Sequence, residues 1–274
     1  MLLSCSTLGD VPDPGIGELV RTWRARRSCS QLDLAIEVGV SPRHLSFVET
    51  GRSNPSAELV LALADHLDVP LRERNSMLLA AGFAPRFTNV PLDDEAMKAI
   101  TGSLRQLLAA HDPYPGFVLD RCWNVLLSNE AGAILSDDLP EALREPPINL
   151  FRASLHPEGL AARTTNFPTW GAYLIRQLER LATATRDPEL ATLYNEVLNY
   201  PNVMGLHRRP IRSPHDLDPR LDITCDLELA GQQLSMFTTL TTFGTPQDIT
   251  LDEIVVELFF PADTASQQFL RNRP

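Results

Sequence analysis

The sequence lacks the features that mark several common classes of protein. Its 274 residues contain no run of eighteen apolar residues, so no transmembrane helix is expected. The four cysteines, at positions 5, 29, 122 and 225, have no paired spacing. This argues against a disulfide framework or a metal site and favours a reducing compartment. We therefore expect a cytoplasmic protein that holds no metal ion.

Sequence motifs of the common catalytic sites are also missing. There is no G-x-S-x-G, no H-E-x-x-H, no Walker loop and no G-x-G-x-x-G. Cys225 falls in a predicted strand without a partnered His, so a thiol nucleophile is not favoured. Helical repeats of about 34 residues, which build peptide-receptor arrays, are absent as well. The missing repeats count against a peptide receptor, and the missing catalytic motifs predict that the chain is not an enzyme.

Positive charge is scarce for a protein that binds nucleic acid. The formal net charge is −11. Residues 16–87 hold nine Arg against eight Asp and Glu, so the acidic excess lies elsewhere in the chain. A net charge of +1 over these residues is still a weak electrostatic footprint. Specific contacts and dimerisation must then supply much of any DNA affinity.

What is present is a helix-turn-helix within residues 30–55. A small residue is needed where the two helices cross, and a glycine gives the turn its backbone freedom. The first, fifth, ninth and fifteenth places of this motif are filled by Gln31, Ala35, Gly39 and Leu45. Apolar residues at helical spacing supply the seam between the two helices.

The second helix of this motif predicts contacts in a DNA major groove. Arg43 is the strongest candidate for reading a base, since Arg bonds bidentately to O6 and N7 of guanine. Phe47 suits a thymine methyl, but it fits a partly exposed core residue equally well. The candidate contacts are Gln31, at a phosphate, and Pro42, Arg43, His44, Ser46 and Phe47, on the exposed face of the second helix.

Further helices before and after the motif predict a five-helix bundle over residues 16–87. A linker helix from about residue 94 to 110, capped by Asp93, follows. Apolar runs on both sides of Asp120 then predict an antiparallel hairpin, and Asn129 begins a helix. A helical middle, three strands and a terminal helix complete an α+β domain with five antiparallel strands and helices on one side.

The chain resembles a known family over nearly its whole length. Residues 16–87 resemble the helix-turn-helix of XRE-type transcription regulators, and the strings GVSPRHLSFVETGRSNPS and LDVPLRERNSMLLAAGFAP are similar to the MmyB-like branch. DRCWNVLLSN, TTFGTP and FFPADTA resemble the ligand-binding domain of that branch. The resemblance implies a PAS-like second domain, a pairing of Arg24 with Glu49, and DNA-backbone contact at Arg52. Asn54, in the same loop, is a further candidate DNA contact.

These observations predict four segments and a ligand pocket. The segments are a flexible tail (1–15), the helix-turn-helix domain (16–87), a linker helix (88–112) and the PAS-like domain (113–274). An apolar pocket in the last of these would suit a fatty acid or a similar amphiphile, as the resemblance also implies. The candidate pocket residues are Phe117, Trp123, Phe151, Leu155, His156, Trp170, Tyr173, Phe237, Thr239 and Phe243. For each aromatic residue alone, plain core packing is the commoner role.

Basic residues in the second domain offer further contacts. Arg152 and Arg163, with His156, are candidates for holding a carboxylate. Residues 207–212 contain a basic cluster that suits an anionic ligand or DNA, although a solvated loop is favoured there.

Three functions remain open from the sequence. The first is a homodimeric regulator that reads a palindromic operator and responds to a small apolar ligand. The second is an enzyme with an attached DNA-binding domain, which would need a polar, titratable constellation in the second domain. The third is a protein-interaction module, such as an antitoxin or a signal receptor, which would need an exposed groove.

Overall fold

The computed structural model describes residues 14–137, 139–185, 187–206 and 223–272. The chain divides into two compact units. The first unit comprises Met1–Val90 with the returning segment Thr245–Asp252, and the second comprises Pro91–Gly244 with Glu253–Pro274. Most of the tail predicted over residues 1–15 lies outside the described residues.

The five helices predicted for the first unit are present. Three of them begin at a serine cap, as their sequences predict: Ser30, Ser41 and Ser56 each accept a hydrogen bond from the amide three residues later, at 3.1, 3.1 and 3.2 Å. The helices are α1 (Ile16–Arg26), α2 (Gln31–Glu37), α3 (Pro42–Glu49), α4 (Ala57–His66) and α5 (Leu71–Ala80).

A glycine in α1 allows two of these helices to approach closely. A Cβ atom at Gly17 would lie 2.5 Å from the carbonyl oxygen of Val48 and 2.7 Å from that of Glu49. Any larger residue would therefore push α1 away from the end of α3. Behind this contact, Val20, Leu34, Leu45 and other fully buried residues form the core of the bundle.

The returning segment Thr245–Asp252 completes the first unit through two aspartates. Asp248 accepts hydrogen bonds from the Thr88 hydroxyl, at 2.6 Å, and from the Val90 amide, at 3.2 Å. Asp252 accepts a hydrogen bond of 2.9 Å from the amide of Leu71, the first residue of α5. Since the residue before α5 is Pro70 and makes no side-chain cap, Asp252 caps this helix from a distant part of the sequence.

The second unit is built on a five-stranded antiparallel sheet, which confirms the predicted α+β fold. The strand order is β2-β1-β5-β4-β3, so the last strand in sequence lies at the centre and pairs with β1 and β4. The strands are β1 (Gly116–Leu119), β2 (Val125–Ser128), β3 (Cys225–Leu229), β4 (Gln232–Thr241) and β5 (Val255–Pro261).

Asn129 joins the first hairpin to the helix that follows it. Its side-chain oxygen accepts hydrogen bonds of 2.9 Å from the amides of Gly116 and Gly132. Its side-chain nitrogen donates to the carbonyls of Tyr114, at 2.7 Å, and Leu108, at 3.2 Å. A buried amide with all of these partners fixes the start of the helix against β1.

Helices cover both faces of the sheet, whereas the sequence predicted one. Leu108, on the predicted linker helix, lies close to Gly116 on the face opposite Phe117. His111 contacts Phe260 on the same face, with ring centroids 4.8 Å apart. This second layer was missed because β1 is short and buried along its whole length, which hides the alternation of its two faces.

The predicted linker helix begins later than expected. A 3-10 turn over Glu95–Met97 precedes α6, which covers Lys98–His111. The capping residue is Asp94, which accepts a hydrogen bond of 2.9 Å from the Ala96 amide, and not the predicted Asp93. The shift follows from the turn, whose first residue is Glu95.

Five of the remaining helices were predicted, and two short ones, Glu141–Arg144 and Ile249–Glu253, were not. The remaining helices are α7 (Glu130–Asp137), α8 (Glu141–Arg144), α9 (Leu150–Leu155), α10 (Phe167–Thr185), α11 (Pro188–Leu198), α12 (Ile249–Glu253) and α13 (Thr264–Arg271). Within the described part of the chain, none of the helices combines the length and hydropathy needed to span a bilayer.

Candidate DNA-binding and effector sites

The turn between α2 and α3 has the geometry that its residues predict. Ala35 is fully buried where the two helices cross. Gly39 has a φ of 72°, in the left-handed region that glycine adopts easily. The Val40 amide donates to the Ala35 carbonyl at 2.9 Å, which closes the end of α2.

The exposed surface of α3 carries the predicted base-reading arginine. Arg43 is exposed and lies over the ring of Phe47, with its guanidinium carbon 5.3 Å from the ring centroid. Arg52 approaches the same ring at 6.0 Å. Phe47 is thus a half-buried platform for two cations, and cation–π attraction limits the conformations of both side chains.

The pairing of Arg24 with Glu49 is confirmed by two hydrogen bonds. Arg24 Nε donates to Glu49 Oε1 at 2.8 Å and Arg24 Nη2 donates to Oε2 at 3.1 Å. The Glu49 side chain is only 3% exposed, and the hydrogen bond to it raises the pKa of Arg24. Because Glu49 ends α3, this pair attaches the recognition helix to α1.

The remaining predicted DNA contacts lie around the same helix. Pro42 is exposed at the start of α3, and His44 and Ser46 are half-buried. Gln31 donates through Nε2 to Glu49 Oε2 at 3.0 Å, so its side chain is oriented by the buried pair. Asn54 is exposed and donates to the Ala81 carbonyl at 3.2 Å. Their contacts with DNA remain predictions.

The second unit contains a small cavity under the sheet. Its volume is about 30 Å³, which holds a water molecule but not an amphiphile, so a larger ligand must displace side chains. Two predicted pocket residues, Phe117 and Trp170, line it. They are joined by Cys225, Met236 and Phe259 from three different strands.

Other predicted pocket residues lie in the same hydrophobic core without lining this cavity. Trp123 and Phe151 are buried with ring centroids 4.5 Å apart, and Leu155 is fully buried. Tyr173 is stacked on Trp170, at 5.2 Å between centroids. His156 lies edge-on to Tyr200, outside the cavity lining.

Three predicted pocket residues are not brought together with the others. Phe237 and Thr239 alternate with Met236 along β4, so they occupy the opposite face of the sheet. There Phe237 stacks on Phe260, with centroids 5.4 Å apart. Phe243 lies beyond the end of β4. Both faces of β4 carry apolar residues, so the sequence alone did not distinguish them.

The predicted carboxylate-binding residues differ in their surroundings. Arg152 is committed to Glu196, with hydrogen bonds of 2.7 and 2.6 Å from Nε and Nη2. Arg163 is half-buried. The basic cluster of residues 207–212 lies outside the described residues.

Two family matches together cover most of the chain. Residues 16–77 match a helix-turn-helix domain, and residues 100–272 match the MmyB-like transcription regulator ligand binding domain. The chain belongs to the MmyB-like transcription regulators. The regulator therefore combines a DNA-binding domain with a ligand-binding domain, in a family of transcription regulators and not of enzymes.

Individual proteins add little to this assignment. No curated protein matches the regulator. Among solved structures, the crystal structure of the clp gene regulator ClgR from Corynebacterium glutamicum is similar, with 25% sequence identity over 37% of the regulator and 99% of that chain. The TM-score is 0.23, so the superposition supports no argument about fold or function.

One cluster of possible metal ligands in the regulator is already satisfied by protein groups. Cys122, Asp187 and Glu189 have ligand atoms within 4.8 Å of one another. The Cys122 thiol donates to Glu189 at 3.1 Å, and burial raises its pKa to about 12. Asp187 is paired with Arg121 and caps α11.

Sequence reasoning missed two residues that shape the sites of the regulator. Gly17 carried no turn or capping signal, because its role depends on the approach of α3. Glu257 is a carboxyl that is 4% exposed in the central strand β5. Its signal was visible as the single acidic residue within the apolar run Ile254–Phe260.

Proposed function

We propose that the regulator binds a palindromic operator as a homodimer, and that a small apolar ligand in its second unit changes the affinity. One observation carries the DNA-binding part of this proposal. Arg43 is exposed in the first turn of α3 and held over Phe47, while Glu49 secures the other end of the helix. An arginine so placed suits bidentate bonding to a guanine in the major groove.

The charge of the chain supports the homodimer. With one net positive charge over residues 16–87, a single copy gains little from phosphate contacts. Two copies double the specific contacts and would read half-sites about 34 Å apart, one turn of the duplex. We also propose a cytoplasmic location, since the target is chromosomal DNA.

For the ligand we propose a small amphiphile, either a fatty acid or a molecule with an apolar chain and another polar head. The support is the family's ligand-binding domain and the apolar lining of the inner cavity. The cavity must expand when the ligand enters. An effector of this kind acts only through its difference in affinity for the two states of the protein.

Binding-site selection from duplexes with a randomised centre tests the DNA-binding part. The selected duplex and a scrambled one are then titrated with wild type, Arg43→Ala and the control Arg86→Ala, which changes another exposed arginine of the first unit. Arg43→Ala should lose about tenfold or more of the discrimination between the two duplexes. Discrimination unchanged from wild type would show that Arg43 does not read a base.

Native mass spectrometry of the regulator purified from its own host tests the rest. A dimer that retains a lipid-sized adduct is expected. A monomer, both free and on the selected duplex, would contradict the homodimer. An adduct lost in a variant with a filled cavity, such as Cys225→Leu, would support the inner cavity as its site.

A further inference from the structure

A buried carboxyl in the centre of the sheet has no charged partner among the residues that the structure describes. Glu257 lies in β5, between β1 and β4, and is 4% exposed. Thr238 is hydrogen-bonded to the Glu257 carboxyl. The Oε2 atom of Glu257 has no hydrogen-bond partner among the described residues. An apolar residue at this position would avoid the desolvation cost of burying an acid.

The register of the sheet directs Glu257 towards the layer that contains the cavity. It is paired with Phe117 across β1 and lies two residues from Phe259 on the same face of β5. Both of these rings line the cavity and contact each other edge-to-face, at 6.0 Å. Glu257 therefore lies beside the inner cavity, on its sheet side.

The other groups near Glu257 do not neutralise it. On α10, burial raises the pKa of the Tyr173 phenol, and the nearby Glu257 carboxyl raises it further. From β3, burial raises the pKa of the Cys225 thiol to about 12, so this neighbour stays protonated. Burial likewise raises the pKa of Glu257 to about 7, and no basic side chain in the described part of the chain counters this.

We propose that Glu257 is the polar end of the effector site and selects an apolar ligand with a hydrogen-bond-donating head, an amine or a hydroxyl, over one with a carboxylate head. This inference rests on the proposed effector function and narrows its ligand class. The unpartnered oxygen accepts a hydrogen bond from the head, while the tail displaces side chains around the cavity. When Glu257 is ionised, a carboxylate head beside it would be repelled in a medium of low dielectric constant.

Three probes with the same chain and different heads test the inference on the full-length regulator. They are decylamine, 1-decanol and sodium decanoate, each used below its aggregation concentration at pH 8.5, where a Glu257 carboxyl with a pKa of about 7 is ionised. Binding is followed by fluorine NMR of protein labelled with 5-fluorotryptophan, because Trp170 lines the cavity. Wild type should bind at least one of the donor-headed probes about tenfold or more tightly than decanoate.

Variants then assign the preference to one carboxyl. Glu257→Leu should bind the preferred donor-headed probe with an affinity about tenfold or more lower than that of wild type. It should bind decanoate no worse than wild type does. Glu257→Gln, which keeps an acceptor oxygen without a charge, should retain decanol and weaken decylamine. Glu228→Gln, on an exposed position of β3, is the matched control and should leave all three affinities unchanged.

The outcomes separate this inference from the proposed function. Decanoate as the tightest probe, or affinities unaltered in Glu257→Leu, would overturn the head-group selection and leave an amphiphile-binding regulator. A Trp170 resonance that no probe shifts would overturn both the head-group selection and the proposed binding of an amphiphile at the inner cavity. The comparison of the three probes on wild type needs no variant, so it holds even if a variant folds poorly.

Discussion

Replacing Arg24 with Met tests whether its pair with Glu49 holds the recognition helix in place. The change removes two hydrogen bonds, of 2.8 and 3.1 Å, from a carboxylate whose side chain is 3% exposed. That carboxylate would keep the Gln31 amide, at 3.0 Å, and the guanidinium of Arg21, at 4.0 Å. These two contacts compensate only in part, since the Arg21 side chain is 55% exposed.

The size of the effect follows from this geometry. Removing one partner of a buried ion pair costs about 3–5 kcal/mol, because the other charge stays buried. Arg24 itself is 19% exposed and Gln31 still bonds to Glu49, so we expect about 2–4 kcal/mol. A domain of this size loses about 4–8 °C in Tm per kcal/mol, so the first unit should melt roughly 10 °C or more lower.

A tryptophan of the first unit makes its unfolding measurable in the whole protein. Of the three tryptophans, only Trp23 lies in this unit. Fluorine NMR of 5-fluorotryptophan protein, assigned with Trp23→Phe, then follows this unit during urea unfolding. A double-mutant cycle is formed by wild type, Arg24→Met, Glu49→Leu and the double variant. Arg86→Met is the exposed control, because the ion pair of Arg86 with Glu58 is exposed and contributes little.

The double variant decides between two explanations. If the pair is the cause, Glu49→Leu should rescue part of the loss in Arg24→Met, with a coupling of about 1–3 kcal/mol. Additive losses would show that the two side chains act independently. A loss in Arg24→Met no larger than in Arg86→Met would refute the structural role of the pair altogether.

Three further variants test other features of the structure. Gly17→Ala should lower the Tm of the first unit and weaken operator binding, because the new methyl would lie 2.5 Å from the Val48 carbonyl oxygen. The control Gly102→Ala, whose new methyl would have no neighbouring atom within 4 Å, should be neutral or slightly stabilising. Glu257→Gln should flatten the pH dependence of stability. Because burial raises the carboxyl pKa from 4.5 to about 7, wild type should lose up to roughly 3 kcal/mol of unfolding free energy as the pH rises through this range. Equal changes in the urea midpoint of both proteins would contradict this prediction. Asp252→Ala should destabilise α5 by about 1 kcal/mol in the same fluorine NMR assay, and an unchanged Trp23 transition would show that the cap is unnecessary.

The sequence predicted most of the elements because their signals are local. Ser30, Ser41 and Ser56 cap their helices through amides three residues away, so a short window of sequence contains the whole interaction. The strands were visible as short apolar runs between turns. The Arg24–Glu49 pair came instead from the family resemblance, and the order of the strands was not predicted.

What was missed depends on contacts that are distant in the sequence. The role of Gly17 is set by the carbonyls at the end of α3, and the face of Phe237 by the register of β4 with β5. The packing of α6 on the second face of the sheet was not predicted, because β1 is buried throughout and its sequence does not distinguish the two faces. Glu257 was visible as a charge in an apolar run, but only the register showed that it faces the cavity layer.

The returning segment has a consequence for exchanging parts between regulators. A chimaera that fused residues up to Val90 to a foreign sensor would leave the Thr88 hydroxyl and the Leu71 amide without their aspartate acceptors. Recombination at a single crossover therefore separates groups that fold together. Transplanting the DNA-reading module intact requires two junctions, with the loop between β4 and β5 carried along.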